Sequence, residues 1–343
     1  MKKAYNTNPE EYEEFCKKIE ENISKYLSEE YKDATVSVVD VIKNNDTKLK
    51  GLTIRKDSPK CIAPTLYLEN IFEEYSKDLD FEDVLRHIAQ VYMEADKNGL
   101  QDDAEDLIQH IMDFKAVKNK IYPRLINTEM NIERLKELPH KEISDFSVIY
   151  HIDLGGKYDG EMTVTINNTM LESYEDITIE QLHSIALKNM LRDNPPNIKP
   201  IEAILDELLS HKTDMDEEER SKVRMELNIS ETGMSVATNR NKIFGATVLL
   251  DTDFLEKIYE RIGDYYILPS SIHEVIILQK NPGLEVSNLE AMVKEVNTTQ
   301  VEANEILSDY VYTYNHDKKE VVRAIPEQGC TPTMLSEEVG CGA

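Results

Sequence analysis

Along the first thirty positions, apolar residues recur at Tyr12, Phe15, Ile19, Ile23 and Leu27, with charged residues between them. Spacings of three and four put all five on one side of a helix, so "NPEEYEEFCKKIEENISKYL" reads as an amphipathic helix. Asn8 suits its cap and Pro9 its first turn, where a missing N–H costs nothing. The period then changes. "ATVSVVDVI", "LKGLTIRK" and "CIAPTLYLE" are short, alternating or β-branched, and separated by turn-forming Asn, Asp, Ser and Pro, which predicts three strands. "DFEDVLRHIAQVYMEA" returns to helical spacing through Phe81, Val84, Leu85, Ile88, Val91 and Tyr92.

The middle of the chain repeats this alternation. "KIYPRLINT", "SDFSVIYHI" and "EMTVTI" read as strands and "EMNIERLKEL" as a helix. "TIEQLHSIALKNML" is a helix opened by a capping box of Thr178 and Gln181. Prolines and a carboxylate run over 193–233 suggest a helical insertion or an exposed connection. From 234 the pattern is strand, turn at "NRNK", strand and helix. A second capping box, Ser287 with Glu290, opens "EVSNLEAMVKEVN", and "SDYVYTY" with "EVVRAI" forms a closing hairpin.

Three stretches, 64–75, 162–174 and 246–259, share a plan of short strand, cap-type residue and short helix, with Asn70, Asn167 or Asn168, and Asp251 to Asp253 at the corner. The expected class is α+β, helices packed on short, mostly antiparallel sheets with recurring strand–Asx cap–helix corners. The expected division is an N-terminal unit over 1–112, a C-terminal unit over 113–320, and a mobile tail over 321–343 that has no sustained period.

Composition narrows the functional classes. Lys and Arg number 39 and Asp and Glu 66, a formal charge of −27 over 343 residues. A phosphate backbone or an anionic membrane is repelled by such a surface, so direct nucleic-acid binding is disfavoured. A run of eighteen apolar residues is absent and the N-terminus has no apolar leader segment, so a cytoplasmic location without a membrane anchor is expected. Cys16, Cys61, Cys330 and Cys341 are too scattered for a disulfide framework or a four-ligand zinc site and read as reduced thiols.

The stretch that most resembles a catalytic motif is "YILPSSIHEVIILQ". In a strand, His273 and Glu274 point to opposite faces and cannot orient one another. Ser271 shares a face with His273 but lacks the flanking glycines of a strained nucleophile turn, and Ile277 breaks HExxH. The stretch therefore reads as a turn entering a buried strand. The remaining histidines lack metal-ligand spacing, no phosphate-binding glycine loop is present, and "DMDEEER" lacks the calcium-loop pattern, so no catalytic residue, metal or cofactor is expected. "KNND" and "RLINTEMN" carry uncharged polar residues that could read a ligand, although turn chemistry explains them equally well. Asn44, Asn45, Asn127, Glu129, Ser271 and His273 are the candidate ligand or partner contacts.

Taken together, "IKNNDTKLKGLTIRK", "IAPTLYLENIFEEY", "KIYPRLINTEMN", "LPHKEISDFSVIYHI", "YILPSSIHEVIIL" and "MVKEVNTTQVEANEILSDYVYTY" resemble an uncharacterised domain-of-unknown-function family of anaerobic gut bacteria. "FLEKIYERIGDYYILPSSIHEVIIL" is also similar to the C-terminal region of another uncharacterised bacterial family. The first resemblance implies cytosolic proteins often carried on mobile elements, and it brings no assigned activity. The leading expectation is a non-enzymatic interaction or accessory protein whose acidic surface meets a protein partner with a basic surface. An enzyme with a site dispersed over the Asn-rich corners and the Ser-Ser-x-His stretch is one alternative, and an acidic nucleic-acid mimic is another.

Overall fold

The fold is that of a computed structural model, which describes residues 9–56, 63–75, 80–97, 104–155, 163–211 and 233–325. Helix α1 spans Pro9–Asn22 and runs into a short 3-10 turn at Ile23–Tyr26. Strands β1 (Thr35–Ile42), β2 (Lys48–Arg55) and β3 (Leu66–Tyr67) form an antiparallel sheet in that order. Helices α2 (Glu69–Tyr75) and α3 (Phe81–Lys97) complete this part. Phe15, Ile19 and Ile23 meet Leu52 and Ile54 of β2 and Val84, Leu85, Ile88 and Tyr92 of α3 in one core. The predicted stripe is thus the buried stripe, because only that face removes contiguous apolar area from water.

Helix α4 (Ala104–Met112) packs Leu107, Ile111 and Met112 against a second, larger core. The short α5 (Phe114–Val117) leads into β4 (Ile121–Asn127), which is followed by α6 (Ile132–Leu135), β5 (Lys141–Ile143), β6 (Phe146–Asp153) and β7 (Thr163–Thr165). β6 sits between β4 on one side and β5 and β7 on the other, all antiparallel. Its residues 146–152 are all buried, which is why "FSVIYHI" is nearly continuously apolar. Helix α7 (Asn168–Ser173) precedes α8 (Ile179–Asp193), whose capping box of Thr178 and Gln181 is formed and whose Leu182 and Ala186 enter the large core.

The six-stranded antiparallel sheet has the order β13-β12-β10-β11-β9-β8. It comprises β8 (Pro196–Pro200), β9 (Met234–Asn239), β10 (Tyr265–Leu268), β11 (Val275–Gln279), β12 (Tyr312–Asn315) and β13 (Glu320–Arg323). Ala237, Ile267, Val275, Ile277 and Tyr312 join the large core. Leu268, Leu278 and Val311 instead pack under α11 (Val286–Thr299), while α9 (Ile201–His211) follows β8 and α10 (Thr252–Ile262) precedes β10. The class is α+β with antiparallel sheets.

Several local expectations need correction. The prolines near 196–200 belong to a sheet-edge strand, where a missing ladder donor is tolerated, and α9 follows it directly. "GATVLL" is a buried 3-10 helix over Gly245–Leu250 instead of a strand. No strand ladder incorporates it: the Thr247 N–H donates to Phe244 O and the Asp251 N–H to Val248 O, while the Ala246 N–H reaches Ile272 O. Ser287 lies inside the first turn of α11, which starts one residue earlier with Glu285 at its cap position and no side-chain cap. Along this helix Met292 and Val296 are exposed although apolar, and Asn297 is buried.

The strand–Asx–helix plan is complete at only one of its three stretches. Asn167 caps α7 after β7 by accepting from the Met170 N–H. Asp251 caps α10, but a 3-10 helix precedes it, and Asn70 lies within α2. The expected Asn8 cap, the carboxylate run at 214–220 and the tail beyond 325 fall outside the described residues.

Candidate functional site

Five of the six candidate residues meet at one irregular segment, residues 303–308. Ile306, Leu307 and Ser308 are buried there without regular secondary structure, so their carbonyls need donors from elsewhere. Asparagine side chains supply most of them. Asn45 Nδ2 donates to Ala303 O at 2.8 Å and Ile306 O at 2.7 Å, and Asn44 Nδ2 to Asn304 O at 2.8 Å. Asn127 Nδ2 donates to Leu307 O at 3.1 Å and Asn297 Nδ2 to Ser308 O at 3.0 Å. The remaining carbonyl in the row, Glu305 O, accepts from the Ile272 N–H.

The turn between β1 and β2 is shaped for this docking. Asn45 and Asp46 both have positive φ, a conformation that Asn and Asp adopt at lower cost than other residues with a Cβ. The fully buried Asn131 receives the Asn45 N–H at 2.8 Å and returns its own amide to Asn45 Oδ1 and Asn127 O. Asp46 accepts from the N–H groups of Glu133 and Arg134 at the start of α6, and Arg134 Nη1 donates to Asn44 Oδ1.

Ser271 and His273 also reach this segment, and their chemistry is that of a turn. Ser271 pairs with Ile306 in an isolated bridge, and its hydroxyl accepts the His273 N–H at 3.0 Å. His273 Nδ1 accepts the Phe244 N–H at 3.2 Å, so the neutral ring carries its proton on Nε2, which lies 3.5 Å from Glu305 Oε1. Glu274 lies elsewhere, in a cavity of about 290 Å³ with Val236, Thr238 and Ile276. Burial raises its carboxyl above the usual range. Glu129 stands apart, exposed in a cleft of about 370 Å³ that Asn127, Asp145, Tyr310 and Arg323 also line. Five of the six residues therefore share a segment, and the six do not converge in one pocket.

A second group, which the sequence did not single out, surrounds Phe244. The Arg124 guanidinium lies 3.4 Å above the centre of its ring. His273 stacks on Phe244 at 5.5 Å and His151 meets it edge-on at 5.3 Å. β4 and β6 place Arg124 opposite Ile149, next to the Tyr122–His151 pair. Phe244 and Lys242 both have positive φ, and a Cβ on Gly245 would collide with Thr238 Oγ1 and the His273 carbonyl. Burial, reinforced by the charge of Arg134, lowers the Arg124 guanidinium to about 9. Burial and then the Arg124 charge take His151 down to about 3. The signal in the sequence is one arginine on an otherwise apolar strand, "IYPRLIN".

Residues 9–97 carry an aromatic groove of about 250 Å³. Phe15, Phe72, Tyr75 and Phe81 line it together with Glu11, Glu14 and Lys18. Phe15 stacks on Tyr75 at 5.1 Å and sits 4.9 Å from Phe72. Lys18 Nζ pairs with Glu14 at 2.7 Å.

Among the described residues, no three His, Cys, Asp or Glu side chains gather as a metal site would need, and no helix is long and apolar enough to cross a membrane. No curated protein and no solved structure matches the chain. A family model described as a family of unknown function, DUF5688, matches residues 12–316, and the chain belongs to that family.

Proposed function

We propose that this chain is a cytoplasmic protein that acts by binding and not by turnover, and that its groove over residues 9–97 receives a basic side chain of a partner protein. The groove carries this reading: it brings four aromatic rings and the carboxylates of Glu11 and Glu14 to one opening. Aromatic faces attract an ammonium or guanidinium group, and desolvation strengthens that attraction. The carboxylates add charge complementarity, and the Lys18–Glu14 pair is an internal example of an ammonium held at this rim.

Two further observations favour binding. The amides of Asn44, Asn45 and Asn127 and the hydroxyl of Ser271 serve the fold's own backbone, which commits four of the six candidate residues to structure. The carboxylates of α1 and α3 alternate with exposed cations, as in Lys17–Glu21 and Arg86–Glu82, and so form solvated helix faces unlike a row of phosphates.

An oligolysine peptide titrated into the full chain tests the proposal. Affinity is expected to fall steeply between low and high salt, and both Tyr75→Ala and the double change Glu11→Gln with Glu14→Gln should weaken it about tenfold. Retention on DNA should be absent at physiological salt. Peptide binding indifferent to all three substitutions, or DNA retention at that salt, would sink this reading.

A further inference from the structure

Among the described residues Arg124 has no counter-ion, in a protein that has 66 acidic residues. Its contact with Phe244 uses one face of the guanidinium. The N–H donors lie in the plane of that group and gain nothing from stacking. No acceptor among the described residues meets them, and Nε is fully buried. His151 lies against the same ring, 7% exposed, with Nδ1 buried and likewise unpartnered. Two neighbouring buried polar groups without partners are costly, and such groups in a native fold call for a ligand or another specific reason.

The surroundings are built to hold this arrangement. Phe244 sits in the left-handed region at φ 51°, two residues after Lys242 at φ 59°. Its N–H is fixed by His273, which Glu305 backs from behind. Strained backbone of this kind persists where the surrounding structure enforces it, as ligand clamps do. Arg124 remains part-exposed, so an anion can reach it.

We propose that Arg124 anchors the carboxylate of a small organic acid, with His151 as a second polar contact and Phe244 as the platform that fixes the guanidinium plane. A carboxylate matches the planar fork of a guanidinium, and the charge of Arg134, which reaches Arg124, adds to the attraction. The site is independent of the groove over residues 9–97, so either can fail without the other.

The full-length protein, labelled with ¹⁵N-arginine, is titrated with sodium acetate, with inorganic phosphate, and with chloride at matched ionic strength. Arg124→Lys identifies the Arg124 Nε–H signal by its loss. Acetate should shift that signal saturably and raise Tm by a few degrees, at least tenfold more tightly than phosphate, while chloride does neither. Arg124→Lys and Arg124→Met should abolish the gain in Tm. Ligand-free Arg124→Met should melt at or above the wild type, because it removes a buried unpaired charge. A signal that ignores acetate, an equal response to chloride, phosphate binding as tight as acetate, or an Arg124→Met protein clearly less stable than wild type would each overturn the assignment. The signal shift in the wild-type protein decides the matter even if a variant fails to fold.

Discussion

Asn45 and Ile306 are joined by a 2.7 Å hydrogen bond across 261 residues, and the same Asn45 amide reaches Ala303 O. The β1–β2 turn is thereby strapped to the segment that also carries the Ser271 bridge. Asn45→Gly keeps the positive φ but removes both donors. The acceptor Asn45 Oδ1 for the Asn131 amide goes with them, and at about 1 kcal/mol for each of the three lost bonds a loss of about 3 kcal/mol is expected in urea unfolding. Asn45→Ala adds left-handed strain of about 1–2 kcal/mol and should be worse. Unchanged stability in Asn45→Gly would mean that the strap does not hold the two parts together.

The backbone around Phe244 gives a pair of opposite outcomes. Gly245→Ala drives a methyl into Thr238 Oγ1 and backbone atoms of Asn239 and His273, which cannot all move aside. A loss of about 3 kcal/mol, at the upper end for overpacking, is expected by thermal or denaturant unfolding. Lys242→Gly, at an exposed left-handed position, should gain about 1 kcal/mol. Equal effects of the two changes would contradict the geometry of this turn.

Histidines held neutral by burial give the protein a predictable acid sensitivity. Above pH 6.5 the His151 ring is neutral in folded and unfolded chains alike, and it adds no pH dependence. As pH falls from 6.5 toward about 3, the unfolded chain takes up a proton that the folded chain refuses, and stability declines. The slope for one such group is about 1.4 kcal/mol per pH unit, so about 2 kcal/mol is lost between pH 6.5 and 5. His183, lowered by burial, acts in the same direction. Urea midpoints of wild type and His151→Phe compared at pH 7.5 and 5 check this, and identical pH slopes would refute it.

Strand β11 discriminates between neighbouring positions. Ile277 is 1% exposed in the large core, whereas Ile276 is part-exposed and faces the cavity shared with α9. Ile277→Asp should abolish folding, since an unpaired buried carboxylate costs several kcal/mol. Ile276→Asp, able to reach water, should remain folded at reduced stability. Circular dichroism and melting of both variants decide it, and the reverse order would show that the assigned faces of β11 are exchanged.

What the sequence by itself determined was whatever local geometry dictates. The stripe of Phe15, Ile19 and Ile23 follows from a period of 3.6, and the capping box of Thr178 and Gln181, the continuous "FSVIYHI" and the β-branched "TVSVVDVI" are likewise written within a few residues. That was enough for the α+β class and for reading "SSIHEVIIL" as a turn entering a strand. "GATVLL" misled because alternation describes which side chains are apolar, while a strand also needs a partner ladder, and that partner is not local. The tertiary structure alone decided what the asparagines do. Asn45 and Asn127 carry the same local signal whether they read a ligand or satisfy a backbone, and the carbonyls that claim them lie 180 to 261 residues away. It alone also left Arg124 without an acceptor among the described residues, because a counter-ion is a matter of which distant side chains arrive, and no periodicity along a chain records that.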